Sequence, residues 1–426
     1  MSIKFKTYIK GILEGGFWNV FSGGISKAAI AFSYIILARK LTPSLYGEFS
    51  VVQTNLVLLG TFTGIGLGSA AVKLISSSTS EYVKFEYVRK TLSISFATCF
   101  FISIFLLLFS ENISTAFVGN TSLSLYLLIS IPLLIFTTFY SLFNSILIAY
   151  KNYKLNASLN ILNGLVVSIL FYFLEINSIS EAIYVLEVSY IIPTFIFFCW
   201  YYNIKKNSRN RVKNKLVTYN EIFSICIPIT ISSILVVPTT WLVSLLLTNL
   251  NPNGVIELGL YNAANQWRNI ITFIPVMLAP ITLSLLTGVE FSTYSMKLKL
   301  LINTLISTLI AMCVCAFIYL FRGFFETAYG EGYVGISSLI VLISLASCLI
   351  VFNNSIGQFL IAVNKVRIGV FFNLIWAAAF IVLTYLLVDD GAQGVVTALI
   401  YSYLIHSLFQ ITYCYKVLFH ENSYNL

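Results

Sequence analysis

Charge is scarce in this chain. Only 10% of its 426 residues are Asp, Glu, Lys or Arg, whereas a water-soluble domain carries about 25%. Histidine occurs twice, and no group of His, Cys and acids has metal-ligand spacing, so no metal site is expected. A Walker A run is missing, which excludes the phosphate loop of an ATPase. The G-I-G-L-G at 64–68 lies inside an apolar run with no strand before it and is not such a loop. Paired surface carboxylates are missing, and so is a large Arg-rich loop. An enzyme acting on polar substrates at the membrane face, a sugar polymerase among them, is therefore not expected. Basic patches interleaved with aromatics are absent outside the apolar runs, so the net charge of +9 does not point to nucleic acid. No short apolar run closed by small residues opens the chain, and no removable signal peptide is expected.

What remains is apolar: 58% of residues, with a mean hydropathy of +0.90. A helix needs roughly 20 such residues to cross a bilayer. Runs and breaks give twelve spans, near 17–38, 46–72, 91–109, 122–149, 156–175, 181–202, 222–249, 258–287, 298–321, 334–363, 366–388 and 395–418. Residues 3–13 mix cations with apolar residues and read as a short interfacial helix ahead of the first span. Of the 25 Lys and Arg residues, 20 fall on the side that holds both chain ends, three on the other side and two inside runs. That asymmetry predicts a multi-pass membrane protein with both termini cytoplasmic. Seven cysteines lie in or beside the runs, Cys313 and Cys315 as a C-x-C, and read as small hydrophobes rather than metal ligands or disulfides.

The longest loop carries six cations and divides the chain into an N-lobe at 1–202, a basic linker at 203–221 and a C-lobe at 222–426. The halves resemble each other. Residues 148–160 (IAYKNYKLNASLN) match 361–373 (IAVNKVRIGVFFN), and Ser189-Tyr190 matches Ser402-Tyr403, both at an offset of 213. Gly47 with Phe49 matches Gly259 with Tyr261 at 212. Repeats of six spans share one orientation, which places a substrate path between lobes. The fold class expected is an all-α polytopic membrane protein, with twelve transmembrane helices in two six-helix lobes around a central cavity.

Two cations inside the runs are the sharpest functional signal. Lys27 sits mid-span, about ten residues from either end, where a cation costs at least ~2.5 kcal/mol. It either pairs with an acid for packing or faces a wet cavity and an anionic substrate; the second reading is preferred, because no acid is near in its own span. Arg268 lies in the eighth span beside Trp267, as an interfacial anchor or as the C-lobe counterpart of Lys27. A cation on each lobe suits a diphosphate. Glu187 and Glu48 enter the runs; Glu187 carries a coupling proton or sodium ion, pairs with Lys27, or lines the cavity passively. His406 reads as a packed helix residue. Gly60, Gly64 and Gly68 recur every four residues and read as a ridge for close helix packing. Pro132 and Pro193 are expected to kink the fourth and sixth spans, and Pro228, Pro238, Pro275 and Pro280 to bend the seventh and eighth.

The stretch GGISKAAIAFSYIILARKLTPSLYGEFSVVQTNLVLLGTFTGIGLGSAAVKLIS carries a family resemblance. A first span ending in LARKLTP, then YGEFS, then a second span with GLG and a basic loop, resembles the start of Wzx-type O-antigen/polysaccharide flippases of the multidrug/oligosaccharidyl-lipid/polysaccharide exporter superfamily. The resemblance implies a transporter, not an enzyme. It would move undecaprenyl-diphosphate-linked oligosaccharide from the inner to the outer leaflet of a bacterial inner membrane by alternating access. No cofactor is implied beyond a proton or sodium gradient. The implied partners are the lipid-linked sugar, the bilayer and, downstream, a polysaccharide polymerase and chain-length regulator of lipopolysaccharide synthesis. Its cationic first-span residue maps to Lys27, a Lys where the pattern has Arg, and Arg268 stands where related lipid flippases carry a basic residue. Asn262, Asn265, Gln266, Tyr126, Tyr140 and Asn144 are the polar residues expected to meet sugar. A cation-coupled drug exporter of the same superfamily is the alternative, and it would call for acids where this chain has cations.

Overall fold

In a bilayer every backbone N–H and C=O must find its partner within the protein, so apolar runs fold as helices. The computed structural model describes residues 3–208, 217–233, 235–286, 293–330, 332–362 and 365–419, with side chains over a narrower set that begins at Phe21. The described chain is almost wholly α-helical. Its elements are α1 (Ile3–Lys40), α2 (Pro43–Ser77), α3 (Glu81–Val118), α4 (Ser124–Ile129), α5 (Ile131–Ala149), α6 (Tyr153–Phe173), α7 (Ile179–Ser208), α8 (Tyr219–Ser233), α9 (Val236–Leu250), α10 (Gly254–Leu286), α11 (Thr293–Leu320), α12 (Arg322–Tyr329), α13 (Ile336–Ala362), α14 (Val366–Leu387) and α15 (Gly391–Phe419). Among the described residues, nine segments are long and apolar enough to cross a membrane, the last of which, Arg367–Lys416, holds two of the expected runs. This is a multi-pass membrane protein.

Several expectations change in detail. No separate interfacial helix precedes the first span, because α1 is continuous from Ile3 to Lys40. The fourth run is two helices, α4 and α5, and Pro132 stands in the first turn of α5 instead of kinking a longer helix. A Pro there loses nothing, since first-turn N–H groups have no intrahelical partner. The seventh run is likewise α8 and α9, with Pro238 in the first turn of α9. Pro193 is accommodated inside α7. The side chains of Pro228, Pro275 and Pro280 fall outside the described set. A short amphipathic helix, α12, links the ninth and tenth runs.

Two compact units emerge: Met1–Leu41 with Glu48–Trp241, and Thr42–Gly47 with Leu242–Leu426. This division differs from the one expected at 203–221, whose residues 209–216 lie outside the described set. Local packing explains it. A Cβ on Gly66 would stand 2.4 Å from the Cys226 carbonyl and from Thr230 Oγ1, so glycine lets α8 lie directly on α2. Lys90 Nζ donates to the Val217 carbonyl at 2.7 Å and rests 4.2 Å from the Tyr219 ring centroid. Tyr87 donates to Glu221. Trp241 Nε1 donates to Asn55 Oδ1 at 3.0 Å, and its ring meets Phe117 edge-on.

The internal repeat is visible as repeated hydrogen bonding. Asn152 N–H bonds the Leu147 carbonyl at 2.9 Å, and Lys365 N–H bonds the Leu360 carbonyl at 2.8 Å. Both pairs are related by the offset of 213, so the same wide turn closes α5 and α13. Ser189 Oγ donates to the Leu186 carbonyl at 2.6 Å, and Ser402 Oγ donates to the Leu399 carbonyl at 2.8 Å, again 213 apart. The repeat-related Gly47 and Gly259 abut in the second unit: a Cβ on Gly259 would lie 2.9 Å from Gly47 Cα, and one on Gly47 would lie 2.1 Å from the Val255 carbonyl.

Without a hydrophobic force between helices in lipid, close approach depends on small residues. On α6, Gly164 packs so tightly on α1 that a Cβ would sit 3.0 Å from Ser26 Cα and 3.2 Å from Ala29 Cβ. One turn on, Ser168 Oγ donates to the Ala29 carbonyl at 2.8 Å and meets Ser33 Oγ at 2.9 Å. Gly164→Val should therefore wedge α1 from α6 and cost about 1–3 kcal/mol. Thermal unfolding of the purified protein should show a clear fall in midpoint. Gly60→Ala, with nothing within 4 Å of its added methyl, should leave the midpoint unchanged or slightly raised.

Candidate functional site

The first unit encloses a cavity of about 410 Å³ between α1, α2, α5 and α7. Each helix supplies one stripe. On α2 the stripe is Phe49, Gln53, Leu56, Gly60, Gly64 and Gly68; on α5 it is Leu133, Thr137, Ser141 and Ser145; Tyr34 closes one side and Ile183, Leu186 and Tyr190 another. Spacings of three and four keep each set on one helix face. The glycines do not form the uniform packing ridge expected. A Cβ on Gly60 would meet nothing, and one on Gly64 would have only Thr138 Cγ2 at 3.7 Å, while one on Gly68 would collide with Ser145 Oγ at 2.6 Å. The first two thus make room in the cavity, and only the third packs helix on helix. Sequence spacing alone does not tell a packed face from an open one.

The wall is hydroxyl-rich. Gln53 Nε2 donates to the Tyr34 hydroxyl at 2.6 Å. Thr137 Oγ1 donates to the Leu134 carbonyl at 3.0 Å, and Ser145 Oγ donates to the Ser141 carbonyl at 3.1 Å. Thr138 Oγ1 meets Thr63 Oγ1 at 2.8 Å. Among the described residues, no ionised side chain lines the cavity.

Of the residues expected from sequence, Tyr140 and Asn144 come together just behind this wall. Tyr140 donates to Asn160 Oδ1 at 2.8 Å, and Asn144 Nδ2 donates to the same oxygen at 3.2 Å. The Tyr140 ring lies edge-on to cavity-lining Tyr190, with centroids 5.2 Å apart. Asn144 Oδ1 is buried without a partner. Asn160, the acceptor shared by both, escaped the sequence reading, though its position on an apolar helix was a signal. Tyr126 sits on α4, where its carbonyl accepts the Ser130 N–H, and is not part of the wall.

Lys27 is half-buried on α1. Seven residues separate it from Tyr34, two helical turns on the same face and about 10 Å along the axis. The cation and the cavity wall therefore share one stripe of α1. The carboxylate of Glu187 accepts the Leu133 N–H in the first turn of α5, a favourable place for negative charge, while Oε1 is buried without a partner. Glu48 is half-buried in the second turn of α2.

In the second unit, Asn262, Asn265, Gln266 and Asn269 share a face of α10, with Arg268 beside them; all but exposed Asn269 are half-buried. Asn265 Oδ1 is buried without a partner. Arg268 interacts electrostatically with the hydroxyls of Tyr261 and Tyr403. Its neighbour Trp267 is held elsewhere, donating Nε1–H to the Tyr329 hydroxyl at 3.2 Å and stacking edge-on with Phe325. His406 is buried, with Nε2 3.2 Å from Gln410 Nε2. Tyr403 and Phe372 flank its ring.

Residues 12–286 match a family described as polysaccharide biosynthesis protein. The chain belongs to that family. A capsular polysaccharide biosynthesis protein of Staphylococcus aureus, CapF, is 22% identical to this family member over 403 residues, covering 90% of this chain and 94% of the relative. In fold it is similar to an inward-facing MATE family multidrug resistance transporter of the MOP superfamily, with a TM-score of 0.75, 15% identity and coverage of 92% and 94%. It is also similar to the lipid II flippase MurJ in an inward closed conformation, with a TM-score of 0.72, 15% identity and coverage of 92% and 86%. The solved structures that share this fold are transporters and a lipid flippase.

The shared acceptor yields a test. Asn160→Leu strands two donors, Tyr140 O–H and Asn144 Nδ2, and should destabilise by about 1–3 kcal/mol. Tyr140→Phe leaves the Asn160–Asn144 bond and should cost less. Denaturation midpoints of the two variants check the order.

Proposed function

We propose that this protein is a flippase for undecaprenyl-diphosphate-linked oligosaccharide. It carries the repeat unit of a capsule or O-antigen from the inner to the outer leaflet of a bacterial plasma membrane, with both termini cytoplasmic. The observation that carries the reading is Lys27, a mid-span cation on the α1 stripe that leads to a neutral hydroxyl-lined cavity. Charge at that depth is retained for function, and a polyprenyl diphosphate offers it a compact dianion. Arg268, beside the amide face of Asn262, Asn265 and Gln266, is the second residue we assign to the diphosphate. Polymer synthesis on the outer face, by a polymerase with a chain-length regulator, consumes the product. Alternating access is the mechanism that fits a cargo too polar to cross hydrocarbon.

Glu187 is the first candidate for coupling to a proton or sodium gradient, since its buried Oε1 has lone pairs to offer; Glu48 is the second. The MATE-like fold favours one other reading, export of a cationic drug. A cation wants a carboxylate, and the described cavity wall carries none.

Lys27→Ala and Arg268→Ala should each slow translocation of the lipid-linked sugar by roughly 10- to 100-fold, the loss of one bond to a charged group, with Lys27→Arg retaining most activity. The measurement is accumulation of inner-leaflet lipid-linked oligosaccharide and loss of surface polysaccharide in cells holding normal amounts of each variant. Unchanged surface polymer in both alanine variants would overturn the diphosphate assignment, and efflux of cationic dyes would favour the exporter.

A further inference from the structure

We infer that the cavity between α1, α2, α5 and α7 is a saccharide subsite that takes a neutral pyranose ring of the cargo. This rests on the flippase reading for its cargo, but the site's own chemistry selects the ligand class. The walls carry no ionised group, so neither a free cation nor an anion is offered a partner there. Thr137 and Ser145 spend their protons on carbonyls of their own helix, which leaves lone pairs to accept from a ligand. Tyr34 accepts from Gln53, and its own proton is then a donor. A wall of several acceptors and a strong donor matches a ring whose hydroxyls both donate and accept.

The remaining walls match the other side of a sugar. Tyr34 and Tyr190 line the cavity with aromatic side chains, with Phe49 packed against Tyr34. An aromatic face is the negative side of its quadrupole and suits the weakly positive C–H groups of a pyranose. Gly60 and Gly64 carry nothing that a bulkier residue would displace except space. That space, about 410 Å³, lies in the range of small-ligand pockets. Lys27 stands two turns along α1 from Tyr34, so a phosphate held at Lys27 presents its first sugar toward this wall.

Purified full-length protein in nanodiscs is the test, with two probes. One is the free repeat-unit oligosaccharide released from the producing strain's surface polymer; the other is farnesyl diphosphate, which has no sugar. Gly60→Leu and Gly64→Val, which fill the cavity, should weaken oligosaccharide binding at least tenfold and leave farnesyl diphosphate binding unchanged. Tyr34→Phe, which removes one donor and no volume, should weaken the oligosaccharide about fivefold and serves where a filled variant misfolds. Lys27→Ala should do the reverse, losing the diphosphate and keeping the sugar. Oligosaccharide binding that is absent in the wild type, or indifferent to all three cavity variants, overturns the subsite, while farnesyl diphosphate binding lost with Lys27 leaves the flippase reading standing. Glycine-dependent sugar binding without any diphosphate binding sustains the subsite and sinks the diphosphate role.

Discussion

A polar group left in hydrocarbon has no water to turn to. This constraint governs both what the protein is made of and where it departs from regularity. It turns the apolar runs into helices, and it dictates how the helices break. At Ser130, between α4 and α5, the backbone N–H bonds Tyr126, the side chain bonds Leu127, and the carbonyl takes the Leu134 N–H. Further into the first turn of α5, the Leu133 N–H is met by Glu187. One oxygen of Glu187 thus meets a donor that the helix break exposes, while its Oε1 stays buried without a partner.

The same constraint shapes the second unit. The α15 N-terminus is met by Glu257, whose Oε2 accepts the Ala392 N–H at 2.7 Å. Gly391, at a φ of 62°, gives the carboxylate room, since a Cβ there would lie 2.4 Å from Oε2. Asn251 covers the exposed end of α14 by donating to the Val388 carbonyl at 2.9 Å. Glycine serves two opposite purposes in this protein. Gly66, Gly164 and Gly259 bring backbones into contact, whereas Gly60 and Gly64 hold a wall back from a cavity.

Much of this was legible in advance because it rests on local chemistry. Hydropathy and loop charge disclosed the membrane class and the helical runs. An offset of 213 disclosed a repeat that returns as paired hydrogen bonds at Asn152 and Lys365 and at Ser189 and Ser402. Tyr140 and Asn144 stood out as polar residues on an apolar helix and proved to share one acceptor. What was misread depended on facing: three equally spaced glycines looked like one ridge, and Pro132 looked like a kink because the break before it carries no residue that sequence marks as special.

Sequence by itself determined the solvent, the helical class and the order of the apolar runs, because periodicity and charge are properties of residues taken in order. Only tertiary structure decided that α8 lies on α2, that Glu187 serves the start of α5, and that hydroxyls on α5 face glycines on α2 across an open space. Those depend on which helix face meets which. In lipid, where all apolar faces are nearly equivalent, that choice is made by shape and hydrogen bonds between residues far apart in the chain.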